Sequence, residues 1–283
     1  MPLLMAGVAA VSFGVADFLG GIAATRWQAE SVGATAQAVG LPLLLPLLVV
    51  FPGGGPSTEI ILWGILAGVT AGIGITLLYR ALAAGPMNVA APTAAVVASI
   101  LPVSTGLALG ERPGVLALIG VACGIVAVAV VGTTAPPSIE GARARRSLRT
   151  VLVAVGAGLG LGGAAIAFGQ TSPDSGLWPL AVARVVATAL LLTVSLGSGG
   201  LRGSVPHSGL RLTVATGAVD AVGSVFLVLA LQRGLLSLVP VIASLYPVGT
   251  VLLARITLNE RLGRAQALGL GLAGLAVTLI AAS

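Results

Sequence analysis

The chain has 283 residues, 57% of them apolar and 8% charged, and its mean hydropathy is +1.11. A soluble domain carries about 25% charged residues, so this chain lacks the polar surface to face water and is predicted to be an integral membrane protein. Its net charge of +6 comes from arginines in the short gaps between apolar runs; that distribution orients a membrane protein and argues against a nucleic-acid surface.

Crossing a bilayer takes a helix of about 20 apolar residues. Ten runs qualify in chain order: 3–24, 32–51, 60–82, 88–109, 114–133, 151–169, 177–196, 210–231, 235–256 and 264–282. The runs are continuous rather than alternating, which excludes a β-barrel. No basic segment precedes the first run, so it is expected to be a retained span and not a cleaved leader. The breaks carry charge and turn signals, among them Arg26 to Glu30, Pro52 to Pro56, Gly110 to Pro113 and Pro173-Asp174. Glycines step by four on span 3 (Gly64, Gly68, Gly72), span 5 (Gly120, Gly124) and span 6 (Gly156, Gly160), giving faces where helix backbones approach closely. Such faces are expected to pack spans of one chain. A monomer is expected, with dimerisation through spans 5 and 10 as the alternative.

Spans 4 and 9 carry prolines: Pro92 and Pro102, then Pro240 and Pro247. A proline inside a helix frees a carbonyl and kinks the axis, and membranes tolerate this beside a cavity or a neighbouring helix. These four residues are therefore candidate hinges, lining a central cavity or fixing a permanent kink.

The two halves repeat. A shift of 149 positions brings Gly7, Gly14 and Gly20 onto Gly156, Gly163 and Gly169, and Gly68 and Gly74 onto Gly217 and Gly223. It also brings Gly85 onto Gly234, and Leu109-Gly110-Glu111-Arg112 onto Leu258-Asn259-Glu260-Arg261. Glycine is common here, but a charged Glu-Arg pair in register is not a chance match. The reading is one membrane domain: a five-span repeat over 3–133, a basic connecting loop over 134–150, and a second repeat over 151–282. Five is odd, so the second copy must sit upside down. Inverted repeats point to a secondary transporter with its site at the repeat interface.

The chain resembles the drug/metabolite transporter superfamily in its ten-span form built from two EamA-type repeats. The residues that carry the likeness are Phe13-Gly14-Val15-Ala16-Asp17-Phe18, Leu78-Tyr79-Arg80-Ala81-Leu82 with Gly85, and Leu109 to Pro113. The second copy supplies Ala230-Leu231 with Gly234, Ser244-Leu245-Tyr246-Pro247, and Leu258 to Leu262. The resemblance implies an all-α inverted 5+5 arrangement around a polar cavity, exporting small metabolites or amino acids, with both termini in the cytoplasm. Family members carry Trp-Gly in span 1 where this chain has Phe13-Gly14.

Few polar residues lie within the spans. Asp17 sits mid-span 1, Asp220 mid-span 8, Arg184 inside span 7 and Gln37 inside span 2. A charge at the bilayer centre costs about 2.5–3.5 kcal/mol on insertion scales, so each needs a partner or a wet cavity. One or both aspartates are expected to bind substrate or carry a proton. Arg184 either pairs with an aspartate or binds a substrate carboxylate. Tyr246, before Pro247, is a further cavity candidate. Tyr79, Trp63 and Trp178 are placed with the interfacial aromatic residues, Gln232 and Arg233 at the interface, and Asn88, Glu111 and Glu260 at helix ends. Ser99, Ser224 and Ser244 are expected to bond their own helix backbones.

Neither a catalytic set, nor a phosphate-binding loop with lysine, nor a metal cluster is visible, and Cys123 and His207 each stand alone in type. No cofactor or metal is expected, and any coupling would be to an ion gradient. The leading reading is a small-molecule permease in the cell membrane, with lipid as its surroundings. The alternatives are a lipid-linked sugar flippase and a membrane-embedded lipid-modifying enzyme. With Arg184 left out, 11 arginines fall in the gaps after spans 1, 3, 5, 7 and 9, against Arg112 and Arg233 in the others. By the positive-inside rule both termini lie outside, contrary to the orientation the resemblance implies.

Overall fold

The computed structural model describes residues 1–84, 87–132, 142–199, 207–250, 253 and 264–282. Among these there is no strand. The helices are α1 (Pro2–Ala24), α2 (Ala29–Val50), α3 (Thr58–Ala84), α4 (Met87–Ala108), α5 (Val115–Gly132), α6 (Ala142–Gly169), α7 (Trp178–Gly197), α8 (His207–Leu231), α9 (Val239–Ala243) and α10 (Arg264–Ala281). A single 3₁₀ turn, Pro173–Ser175, precedes α7. Seven of the helices are long and apolar enough to cross a membrane, and shorter apolar helices cover Val115–Val130, Val239–Thr250 and Ala267–Ala281. Large apolar side chains such as Val11, Leu45, Leu62 and Leu152 point outward and are exposed, as a lipid-facing surface requires.

The helices pack in pairs related by a two-fold axis. α1 lies against α8 as α3 lies against α6, and α2 against α8 as α3 against α7. α2 with α7 and α5 with α10 are pairs that map onto themselves. The Sγ of Cys123 donates to the carbonyl of Leu272 at 3.4 Å; these positions are 149 apart and therefore face each other across that axis. An odd number of spans per repeat turns this axis into the membrane plane, so the repeats are inverted.

Glycine makes the pairing possible. A methyl added at Gly74 would lie 2.8 Å from the backbone nitrogen of Leu161, and one at Gly223 would lie 2.9 Å from the Phe13 ring. These two glycines are in register, and so are the two helix contacts they allow. In lipid there is no hydrophobic drive between helices, so this close van der Waals approach is what holds them together.

Polar contacts between elements sort onto two faces. On the face with the N-terminus, the Gly54 amide donates to the Asp174 carbonyl at 2.9 Å, and Gln232 Nε2 to the Gly176 carbonyl at 2.9 Å. On the other, the Ser31 and Ser195 hydroxyls bond at 2.6 Å, Ser198 donates to Gln28 Oε1 at 3.2 Å, and Arg80 pairs with Glu30.

Two expectations are corrected. Span 9 is not one helix over 235–256. α9 ends at Ala243, Ser244 and Leu245 form a turn, and helical backbone resumes over 246–250. Pro247 explains the break: it has no N–H to bond the Ala243 carbonyl, and its ring disfavours helical geometry just before it. Pro240 stands in the first turn of α9, where a missing N–H removes no bond; neither proline of span 9 is an interior kink. Pro92 and Pro102 do lie inside α4, and Pro42 and Pro46 lie inside α2, where no hinge was expected. The second correction is that helix reaches back to Ala142, so the basic residues 143–149 extend α6 rather than form a loop. Gly85, the Asn88 side chain and residues 258–262 with Glu260 lie outside the described residues.

Candidate functional site

α1 packs against α8, and Asp17 on the one and Asp220 on the other line one cavity of about 150 Å³ between the repeats. Arg184, Gln37 and Tyr246 line the same cavity, so it gathers every polar residue proposed from the sequence as binding. Pro240 lines it as well; Pro92 and Pro102 are not among its lining residues.

The geometry separates the two aspartates. Arg184 Nη2 donates to Asp220 Oδ2 at 2.8 Å and to the Ser224 hydroxyl at 3.0 Å. This is a buried, charge-assisted pair, with the arginine side chain 1% exposed and the aspartate side chain 15%. No hydrogen bond or ion pair among the described residues engages Asp17, although it is 8% exposed.

Gly40 on α2 lets Arg184 reach its place. A methyl added there would overlap Nη1 of the guanidinium, so the side chain lies directly on the α2 backbone. Nε and Nη1 find no acceptor among the described residues. Ser224, expected to bond its own helix, instead accepts from Arg184. Ser99 and Ser244 do bond their own helices, through the carbonyls of Val96 at 2.9 Å and Val241 at 2.8 Å.

The aromatic residues are placed differently from expectation. Tyr79 is not at the interface: it is 4% exposed and lines the cavity, and its ring packs so closely over Gly20 that a methyl there would fall 2.8 Å away. The signal was available, since Gly20 lies one turn beyond Asp17 on the same helix. Phe13 and Phe168 also line the cavity. Tyr246 donates its hydroxyl to the Ala91 carbonyl on α4 at 3.3 Å. Gln232, just past the end of α8, is buried, and its Nε2 donates to the Gly176 carbonyl.

The polar groups are unique to one copy. The α8 positions Asp220, Ser224 and Leu227 line the cavity, and so do their counterparts on α3, Ala71, Ile75 and Leu78. Asp17 falls in register on Ile166. Duplication built the frame, and one-sided substitution built the site.

A family model described as the EamA-like transporter family matches residues 1–133 and 148–282. The chain belongs to the EamA-like transporter family. The two matched stretches are the two five-helix repeats, and the protein is therefore a multi-pass membrane transporter of the drug/metabolite type. A crystal structure titled only as that of a protein is similar over 97% of this chain and 98% of its own, with a TM-score of 0.73 and 15% identity; at that identity it supports the fold alone. No curated protein matches.

Proposed function

We propose that this EamA-like transporter is a secondary permease that moves a small metabolite by alternating access, with Asp17 as its proton carrier and the Arg184–Asp220 pair as the wall that positions it. One observation supports this best: an unpartnered carboxylate faces a cavity at the junction of two inverted repeats. A buried charge needs neutralising. Asp220 has a guanidinium for this purpose. Asp17 has none among the described residues, so a proton or a bound ligand must serve, and exchanging one for the other links cavity occupancy to a gradient. Both termini are proposed to lie outside the cell membrane, on the arginine distribution.

The test is transport in proteoliposomes with an imposed pH gradient and a panel of labelled small metabolites. Asp17→Asn is expected to abolish gradient-driven accumulation, with counterflow persisting only at substrate concentrations raised to match its weaker binding. Wild-type accumulation in Asp17→Asn would remove proton carriage by Asp17 from the reading.

A further inference from the structure

The cavity presents acids and hides its base. Arg184 is turned away: Nη2 is committed to Asp220 and Ser224, Nη1 lies against Gly40, and the side chain is 1% exposed. What reaches the cavity surface is the unpartnered Asp17 carboxylate and the remaining edge of Asp220, whose side chain is 15% exposed. Counted over the described lining residues, two acids face one arginine, which leaves one negative charge without a counter-charge. Phe13, Tyr79, Phe168 and Tyr246 line the same cavity. Aromatic faces attract cations through the ring quadrupole, more strongly where water is excluded. The remaining wall is aliphatic, including Ile75, Leu161 and Leu180.

We propose that the central cavity binds a small monovalent organic cation with an apolar body, its ammonium group against Asp17 and its body among the aromatic and aliphatic walls. This rests on the transport reading above and names the substrate class of that site. Arg184 lines the cavity, but its guanidinium is buried with Nη2 committed to Asp220 and Ser224, so an anion would meet the two carboxylates first. A zwitterion would bring its own carboxylate to the same acids. The volume of about 150 Å³ limits the ligand to about one ring or a short branched chain.

The experiment is isothermal titration of the purified full-length protein in nanodiscs, with empty nanodiscs as the control. The three probes share a benzyl body: benzyltrimethylammonium, phenylalanine and phenylacetate. The cation is expected to bind at least tenfold tighter than either other probe. Asp17→Asn is expected to weaken it at least tenfold, and Asp17→Glu to retain it. Equal or tighter binding of phenylacetate or phenylalanine overturns the inference. So does unchanged cation binding in Asp17→Asn, or the absence of cation binding. If Asp17→Asn fails to fold, the order of the three probes on the wild type decides alone. The two readings fail separately: a protein that accumulates a zwitterion or an anion in proteoliposomes refutes the substrate class and keeps the transporter. One that moves none of the metabolites or probes refutes the transport reading itself.

Discussion

Asp17 and Asp220 look alike in the sequence, each an acid in the middle of an apolar run. Only the contact with Arg184 divides their roles, and that contact depends on Gly40, a residue with no polar group of its own. Breaking a buried ion pair by removing one partner costs about 3–5 kcal/mol, whereas replacing both by apolar residues is often neutral. Arg184→Met and Asp220→Leu are therefore each expected to lower the thermal transition of the purified protein sharply, and the double variant to recover most of it. A double variant as unstable as the sum of the singles would show that the pair does more than neutralise itself. Gly40→Ala should act like Arg184→Met, because the methyl and the guanidinium claim one space; thermal unfolding in detergent checks it.

At the scale of elements, the repeated Leu-Gly-Glu-Arg stretch has a physical account. Gly110 has φ +94°, a backbone conformation glycine adopts at no steric cost. It ends α4, with the Glu111 amide donating back to the Gly106 carbonyl at 3.0 Å, the closing bond of a Schellman turn. The turn sends the Glu111 carboxylate across to the other repeat, where it accepts from the amides of Leu236 and Ser237, both at 2.8 Å, just before α9. A helix-end role was readable from position; that the capped segment belongs to the opposite repeat was not. Glu111→Gln leaves one oxygen for two amides and is expected to cost about 1.5–3 kcal/mol, the range for one hydrogen bond to a charged group, measured as a fall in unfolding midpoint. Asparagine, which also tolerates this conformation, is the residue at the matching position 259 of the sequence. The glycine faces give a paired expectation. A methyl at Gly68 would lie 2.5 Å from the Ala183 carbonyl, and one at Gly217 would meet the Ala36 carbonyl just as closely. These two glycines are in register, so Gly68→Val and Gly217→Val should depress the melting temperature by similar amounts. A large difference would mean the two interfaces are not equivalent in energy.

For the whole molecule, the two-fold frame makes asymmetry informative. Ser31 and Ser195 join α2 to α7 on one face; in register they fall on Leu180 and Pro46, which hold no such bond toward the other face. A rocking motion of the repeats must break the polar contact on one side. Ser31→Cys with Ser195→Cys, made with Cys123→Ala, is expected to stop transport under oxidation and regain it under reductant. Full transport by the crosslinked protein would show that α2 and α7 do not separate during turnover. Orientation is checked with a C-terminal reporter active only in the cytoplasm, which should stay dark.

Composition, run length and the 149-residue register determined the membrane class, the all-helical fold and its inversion, because the bilayer admits few ways to satisfy a backbone and an odd repeat has to flip. The same sequence marked Asp17, Asp220, Arg184, Gln37 and Tyr246, because charge and polarity in an apolar run are costly enough to stand out. The tertiary structure decided the rest. Which acid holds the arginine, why Tyr79 is buried, where span 9 breaks and which helix end Glu111 caps all depend on contacts between residues far apart in the chain. Such contacts are set by how close two backbones can come, and that distance is a property of helix pairs, which no local pattern in one helix records.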